Sequence, residues 1–366
     1  MNTRRAFTLV EILVVVVIIS ILAALVTVAV AGAMRAAKRA AIATEMSQIA
    51  MALERYKAEF GEYPPDMFDD AVLVRHVKKR WPRLDWTKTE TLLRQASVPF
   101  PGESGSWDTR NWNNMPMLER EAWLIKRSIG FTYGCDVGFL RAPHPHASIG
   151  ALALWLGGFP NSDGHFSGFF ADPECPFISN GPPVYDNMVF YDMQLGNNAR
   201  FVRTGLPDRI GGPYPPGSGG GGGGTPRDFV PLIGVEINGH FLPFHYFRGK
   251  TGGGHDAYLF GAAPGQVKQG YLGLETHEEI SWSVPYAEST TIVEGNTVIK
   301  WKNPTTYQLI HPGLDGKFSV IRPRTDGAYP PVESLRVINT GAGLLQEDLD
   351  NITNISDLKE LRSILP

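Results

Sequence analysis

The chain of 366 residues is short of cysteine, with only Cys135 and Cys175. Two readings stay open for them: a single bridge formed outside the cytoplasm, or two separate small apolar residues. An excess of basic charge is also missing. Lys and Arg number 34 against 37 Asp and Glu, a formal net charge of −3. Nucleic-acid binding usually needs a clustered basic face, so no nucleic-acid partner is expected. Common catalytic motifs are lacking too. There is no Gly-x-Ser-x-Gly elbow. The run "PPGSGGGGGGTP" from Pro215 to Pro226 lacks the Gly-Lys-Ser/Thr ending of a phosphate loop and reads as a flexible linker. "GHFLPFHYF" sets His240 and His245 five apart without the helical glutamate of a zinc protease. "PHPHA" holds His144 and His146 beside two prolines with no carboxylate near, which favours a surface loop over a metal site. In "NSDGHFSGFF", Asn161, Asp163 and Gly164 match part of a calcium loop. Phe159 and Phe170 stand where its first acid and its bidentate glutamate belong, so an EF-hand is rejected.

What the chain does have is a long uncharged run. From Ile12 to Ala33 no charged residue occurs, and about twenty such residues span a bilayer as a helix. The stretch is about twice the length of a secretory h-region and no small-x-small site follows it cleanly, which argues against a cleaved signal peptide. A plain anchor accounts for the length but leaves Glu11 unexplained, since a charge in hydrocarbon costs about 2.5–3.5 kcal/mol even on lenient scales. A cut between Ala6 and Phe7 resolves this. Phe7 then carries a new α-amino cation. In a polymer of parallel, staggered helices, Glu11 of one subunit meets that amine on its neighbour. An unpaired charge there is costly, so pairing selects the register.

The stretch "RRAFTLVEILVVVVIIS" resembles the leader and N-methylation motif of type IV pilins and type II secretion pseudopilins. The resemblance implies that Ala6 precedes the cleaved bond, Phe7 becomes the methylated N-terminus and Glu11 is the assembly glutamate. The family usually has Gly where this chain has Ala6. Implied partners are a prepilin peptidase, copies of the chain and other (pseudo)pilins, an inner-membrane assembly platform and membrane lipid. The resemblance also implies a cytoplasmic N-terminus, a single pass through the bacterial inner membrane and an exported head. Charge alone does not set that orientation, because Arg4 and Arg5 are balanced by Arg35, Lys38 and Arg39 beyond the run.

Past the apolar run, Ile42, Met46, Ile49, Leu53, Tyr56 and Phe60 recur at steps of four and three. They form one stripe on a helix. Gly61 suits its C-terminal cap, and Pro64 and Pro65 block continuation. One helix from Phe7 to Phe60 would be about 80 Å long. Its second half is expected to lay the stripe on a β-sheet of the same chain. "ALERYKAEFGEYPPD" further resembles the helix end of the major pseudopilins.

The middle of the chain is irregular and rich in Gly and Pro, with helices expected at "TKTETLLRQA", "PMLEREAWLIKRS" and "HASIGALALWLGG". Strand signals dominate the last third: "DFVPLIGVEI", "FLPFHYFRG", "DAYLFGAA" and a hairpin in "EISWSVPYAESTTIVEGNTVIKW". A last helix is expected at Ser356–Leu365 with Ser356 as its N-cap. "YQLIHPGLDGKF" followed by "EDLDNITN" resembles the C-terminal signature of pseudopilin heads, in which a turn and an acidic loop hold calcium. The resemblance makes Asp315, Asp348 and Asp350 the candidate calcium ligands. Glu347, Asp348 and Asp350 crowd within four residues and repel unless a cation bridges them or water solvates them, and both readings stay open. The inserted "RPRTDGAYPPVESLRVINTG" makes the spacing longer than the family's. Asn351-Ile352-Thr353 matches a glycosylation acceptor but is discounted, because the resemblance implies a bacterial chain.

The fold class expected is α+β: a long N-terminal helix, half membrane-spanning and half amphipathic, packed on an antiparallel sheet with an enlarged loop-rich head. The divisions are a leader at 1–6, a membrane or filament-core helix at 7–33 and its amphipathic continuation at 34–61. An irregular inserted head region follows at 62–228, containing the linker 215–226, and then a β-rich head at 229–366. The expected function is structural: a non-enzymatic prepilin-like subunit of a type II secretion pseudopilus or type IV pilus, with calcium as its one candidate cofactor. The rival is a membrane-anchored exported enzyme or glycan- or protein-binding module, with which eight tryptophans are compatible.

Overall fold

The computed structural model describes residues 9–104, 106, 110–133, 145–179, 181–195, 197–203, 229–250, 252, 254, 257–260, 266–268, 270–272, 281–293, 296–318, 335–342, 344, 346–358 and 360–365. Ala6, Phe7, Cys135, His144 and the linker 215–226 lie outside the described residues.

Helix α1 runs unbroken over Leu9–Phe60, 52 residues, or about 78 Å. Its two halves have different surroundings. Every residue from 9 to 37 is exposed. From Ile42 on, the expected stripe is buried: Ile42, Met46, Ile49, Leu53 and Tyr56, with Ala52 beside them. The helix stops where Gly61 takes φ +74° and donates to the Lys57 carbonyl at 2.7 Å. Only glycine enters that region without a Cβ penalty.

Four more helices follow: α2 (Asp70–Arg80), α3 (Trp86–Gln95), α4 (Met117–Tyr133) and α5 (Pro145–Gly157). Asp69 caps α2 by accepting from the Ala71 and Val72 amides, and Asp85 caps α3 through Thr87 and Lys88. Residues 150–157 of α5 are buried on every side, as a helix that is apolar all round must be.

The strands are β1 (Ala199–Arg203), β2 (Phe229–Ile237), β3 (His240–Pro243), β4 (His245–Arg248), β5 (Leu259–Phe260), β6 (Gln266–Val267) and β7 (Gly270–Leu272). They continue with β8 (Ser281–Ser283), β9 (Tyr286–Val293), β10 (Asn296–Trp301), β11 (Tyr307–His311), β12 (Arg336–Val337) and β13 (Ile352–Thr353). Three sheets have the orders β1-β2-β3, β13-β11-β4 and β10-β9-β12, and β5-β6 and β7-β8 form ribbons. Pairing is antiparallel except for β12 on β9. Asn238 and Gly239, both at positive φ, make the two-residue turn between β2 and β3.

This is an α+β fold with a long apolar N-terminal helix. The α1 stripe packs on β2 and α5, and α5 itself covers β2 and β4. One core therefore joins helices before residue 158 to strands after residue 229. A second core gathers around Tyr258, Tyr286 and Trp301, and a third around Phe100, Trp112 and Trp123.

The C-terminal helix expected at Ser356–Leu365 is not formed. Two short 3-10 turns occur instead, Asn354–Ser356 and Leu361–Ile364. Asp357 and Leu358 stand between them at φ 51° and 62°, and left-handed residues cannot continue a right-handed helix. Ser356 is buried and its hydroxyl turns back to the Thr353 carbonyl at 3.1 Å, so it caps nothing.

Candidate functional site

The exposed half of α1 is the largest unpartnered apolar surface among the described residues, running from Leu9 to Met34. Its two hydroxyls are satisfied within the helix: Ser20 donates to the Val16 carbonyl at 2.7 Å and Thr27 to that of Ala23 at 2.8 Å. Such i−4 bonds give the two hydroxyl protons a partner inside the helix, so neither needs one from an apolar surrounding. The only acid in the first turn is Glu11. Below this surface three contacts clamp the helix to the head. Lys38 donates to the Asn238 side chain, Arg39 lies 2.5 Å from Glu360, and the Tyr191 hydroxyl donates to Glu45.

The C-terminal end of α1 meets a buried ionic network. Asp66 accepts from the Lys268 ammonium at 2.6 Å and from the Arg248 amide at 2.9 Å, and both Asp66 and Lys268 side chains are 4% exposed. Glu62 pairs with Arg248 at 2.7 Å and with His76 Nδ1 at 3.0 Å. His76 Nε2 in turn lies 2.6 Å from the Tyr56 hydroxyl, to which Arg80 also donates at 3.3 Å. Burial works against the Glu62 anion, but hydrogen bonds from His76 and Arg248 overcome it and hold the carboxyl well below its usual range. Burial lowers His76 despite the pull of Glu62, and lowers Lys268 despite Asp66. Burial pushes the Tyr56 phenol up to about 12. The network ties α1, α2 and β4 together at one point.

The acidic turn is assembled by the antiparallel pairing of β11 and β13, Ile310 opposite Thr353 and His311 opposite Ile352. That pairing lays residues 313–316 against Asp350. The Asp350 Oδ2 accepts from the amides of Leu314 at 3.0 Å and Asp315 at 3.3 Å. Asp315 accepts from the Lys317 amide at 2.9 Å. Partial burial, with the charge of Asp350 added, pushes the Asp315 carboxyl up to about 7. Burial also raises Asp350, whose Oδ1 is buried with no hydrogen-bond partner. Gly313 makes the close approach possible. At its φ of +71° a Cβ would lie 2.4 Å from the Asp350 carbonyl oxygen. Gly313→Ala should therefore cost about 1–3 kcal/mol of head stability in urea unfolding, from left-handed strain and displacement of Asp350.

Of the three candidate calcium ligands the structure brings together Asp315 and Asp350 but not Asp348. Parallel pairing of β12 with β9 places Arg336 3.0 Å from Asp348, with both side chains buried. Among the described residues no three His, Cys, Asp or Glu side chains are placed to hold a metal ion. The pair still offers hard oxygen donors, one of them an orphaned buried atom, of the kind calcium takes together with carbonyls and water.

Residues 1–27 match the family model of the prokaryotic N-terminal methylation motif. The chain carries the type IV pilin and pseudopilin signature. No curated protein and no solved structure matches the chain significantly. The motif implies processing by a prepilin peptidase and assembly with other pilins, and the bare apolar helix fits a membrane-anchored protein.

In this pilin-like chain Glu11 sits on an exposed turn within the matched motif. Cys175 is a buried free thiol 3.8 Å from the Thr89 hydroxyl, while its candidate partner Cys135 lies outside the described residues. His240 is exposed, and the fully buried His245 is held by the Ser283 hydroxyl. Asn161 makes an Asx turn, accepting from the Asp163 and His165 amides at 2.9 and 3.1 Å. Asn351 of the glycosylation triplet is 0% exposed and its amide donates to the Tyr286 hydroxyl at 2.9 Å, which closes it to modification. Sequence reasoning missed the ionic network. Its one local signal was the acids of "GEYPPD" flanking two prolines just past a helix end.

Proposed function

We propose that the chain is a structural subunit of a type II secretion pseudopilus or type IV pilus. A prepilin peptidase cuts it between Ala6 and Phe7, the new N-terminus is methylated, and the mature chain is held in the inner membrane with its head outside. It then enters the polymer through the apolar half of α1. The subunit acts by assembly, and the head has no catalytic role. One observation carries this reading. A helix with every residue from 9 to 37 exposed continues without a break into a half whose stripe is buried in the head. Such a helix needs lipid before assembly and neighbouring helices after it. The test is the mass of the mature N-terminal peptide. The reading expects an N-methylated Phe7 peptide, and recovery of a chain that keeps its leader would overturn it.

In the same reading calcium braces the head at Asp315 and Asp350. The sign of the pH dependence follows from the raised Asp315 carboxyl. The folded head holds that proton more tightly than the unfolded chain does, so the contribution of Asp315 to ion-free stability falls as pH rises from about 4 through about 7. In chelator the melting temperature relative to Asp315→Asn should be higher at about pH 5 than at about pH 8, a difference that cancels the opposite contribution of the buried His76, His245 and His311, which burial holds neutral. Calcium should restore the loss at the higher pH, and Asp350→Asn should remove the calcium response while leaving the part of the pH effect that burial of Asp315 causes. A melting temperature at the higher pH that is indifferent to chelator and calcium rejects the ion.

A further inference from the structure

One cavity is lined by no residue of α1. It measures about 330 Å³ and lies where the C-terminal end of α4 meets the loops after α5. That volume falls within the range of small-ligand sites, about 300–1,000 Å³. Five aromatic rings line it. Phe159 and Phe170, both buried, stack at 5.1 Å with planes 25° apart. Tyr133 stands 5.0 Å from Phe159, and Tyr185 stands 5.7 Å from Phe170. Phe131 forms an open wall and is 41% exposed. Tyr133, Phe159, Phe170 and Tyr185 are fixed by these mutual contacts, so their part of the shape exists before any guest arrives.

The polar chemistry of the lining is one-sided. No charged side chain is among the described lining residues. Each hydroxyl there spends its single proton on a carbonyl of the protein itself. Tyr133 donates to Gly158 at 2.6 Å, Tyr185 to Pro160 at 3.0 Å, Thr132 to Phe177 at 2.6 Å and Ser179 to Gly181 at 3.3 Å. Ser179 also accepts from the Gly181 amide at 3.3 Å, which leaves the Thr132, Tyr133 and Tyr185 hydroxyls to meet a guest as acceptors and not as donors.

We propose that this cavity binds a neutral saccharide ring. A sugar has a flat face of C–H groups, which suits the electron-rich faces of aromatic rings. Its edge is a row of hydroxyl protons, which suits a lining that accepts. A proline-rich peptide also favours aromatic grooves, but proline residues bring no N–H, so acceptor would face acceptor. A quaternary ammonium would profit from the rings but has no proton for the hydroxyl oxygens and finds no acid among the described lining residues.

The experiment is saturation-transfer NMR on the full-length chain in a polyoxyethylene detergent, which carries no sugar headgroup. The probes are cellotetraose, chitotetraose and maltotetraose, with decaproline and tetraethylammonium as rivals. At least one tetrasaccharide should receive saturation at millimolar concentration. Phe131→Ala and Tyr185→Ala should each weaken it by about tenfold, the upper end for one aromatic contact, at unchanged melting temperature. Where Tyr185→Ala disturbs the fold, Phe131→Ala decides, because its ring is largely at the surface. Silence from all three sugars overturns the proposal. So does sugar binding that Phe131→Ala leaves unchanged, or preferential binding of either rival.

Discussion

Glu11→Ala should abolish incorporation of the mature chain into filaments and leave the head folded. The two effects separate because the buried stripe of α1 begins at Ile42, about 45 Å along the helix from Glu11. In a bundle of apolar helices the variant leaves the amine of a neighbouring Phe7 buried without its anion. Breaking a buried pair by removing one partner costs about 3–5 kcal/mol, or a factor of about 150 to 5,000 at each contact. Because every subunit in a polymer repeats the loss, assembly should fall below detection. Glu11→Gln should retain a trace, since it keeps a hydrogen-bonding side chain. The assay is the filament fraction sheared from cells, with near-ultraviolet circular dichroism of the head as the control for folding. Filaments at the normal level would show that the carboxylate does not set the register.

Asp66→Ala should unfold the head or bring it close to unfolding. The substitution leaves the Lys268 ammonium, 4% exposed, without its counter-ion and takes the acceptor from the Arg248 amide. The expected loss is about 3–5 kcal/mol, against a total stability of about 5–15 kcal/mol for a typical domain. Urea unfolding measures it. The double variant Asp66→Leu with Lys268→Met should recover much of the loss, because a packed apolar pair replaces a buried ionic one at small net cost. Asp66→Ala with a loss under about 1 kcal/mol would mean that the Asp66–Lys268 pair adds little to the joining of α1 to the sheets.

The same network shows where sequence reasoning stopped. The α1 stripe was legible because its residues lie three and four apart and one helix presents them together. So was α5, whose thirteen residues hold no charge. Helix α2 was not expected, although Asp69 caps it and Leu73, Val74 and Val77 repeat at helical spacing. Its lysines and arginines masked the short stripe. Asp66 and Lys268 are 202 residues apart, and no local pattern predicts such a meeting. The acidic turn was half legible. Pairing of β11 with β13 brings Asp315 to Asp350, but the parallel docking of β12 carries Arg336 to Asp348 and removes it from the set. The C-terminal helix failed on Asp357 and Leu358: aspartate tolerates the left-handed region, but no propensity argument places a leucine there.

Because α1 is continuous, Glu11 and the buried stripe share one rotational frame. At about 100° per residue, the 31 steps from Glu11 to Ile42 leave the two roughly 140° apart around the axis. The acid and the head thus point away from each other. A bundle that turns its carboxylates toward the centre hangs its globular parts on the periphery, and the azimuth of each is dictated by the winding of a single rod.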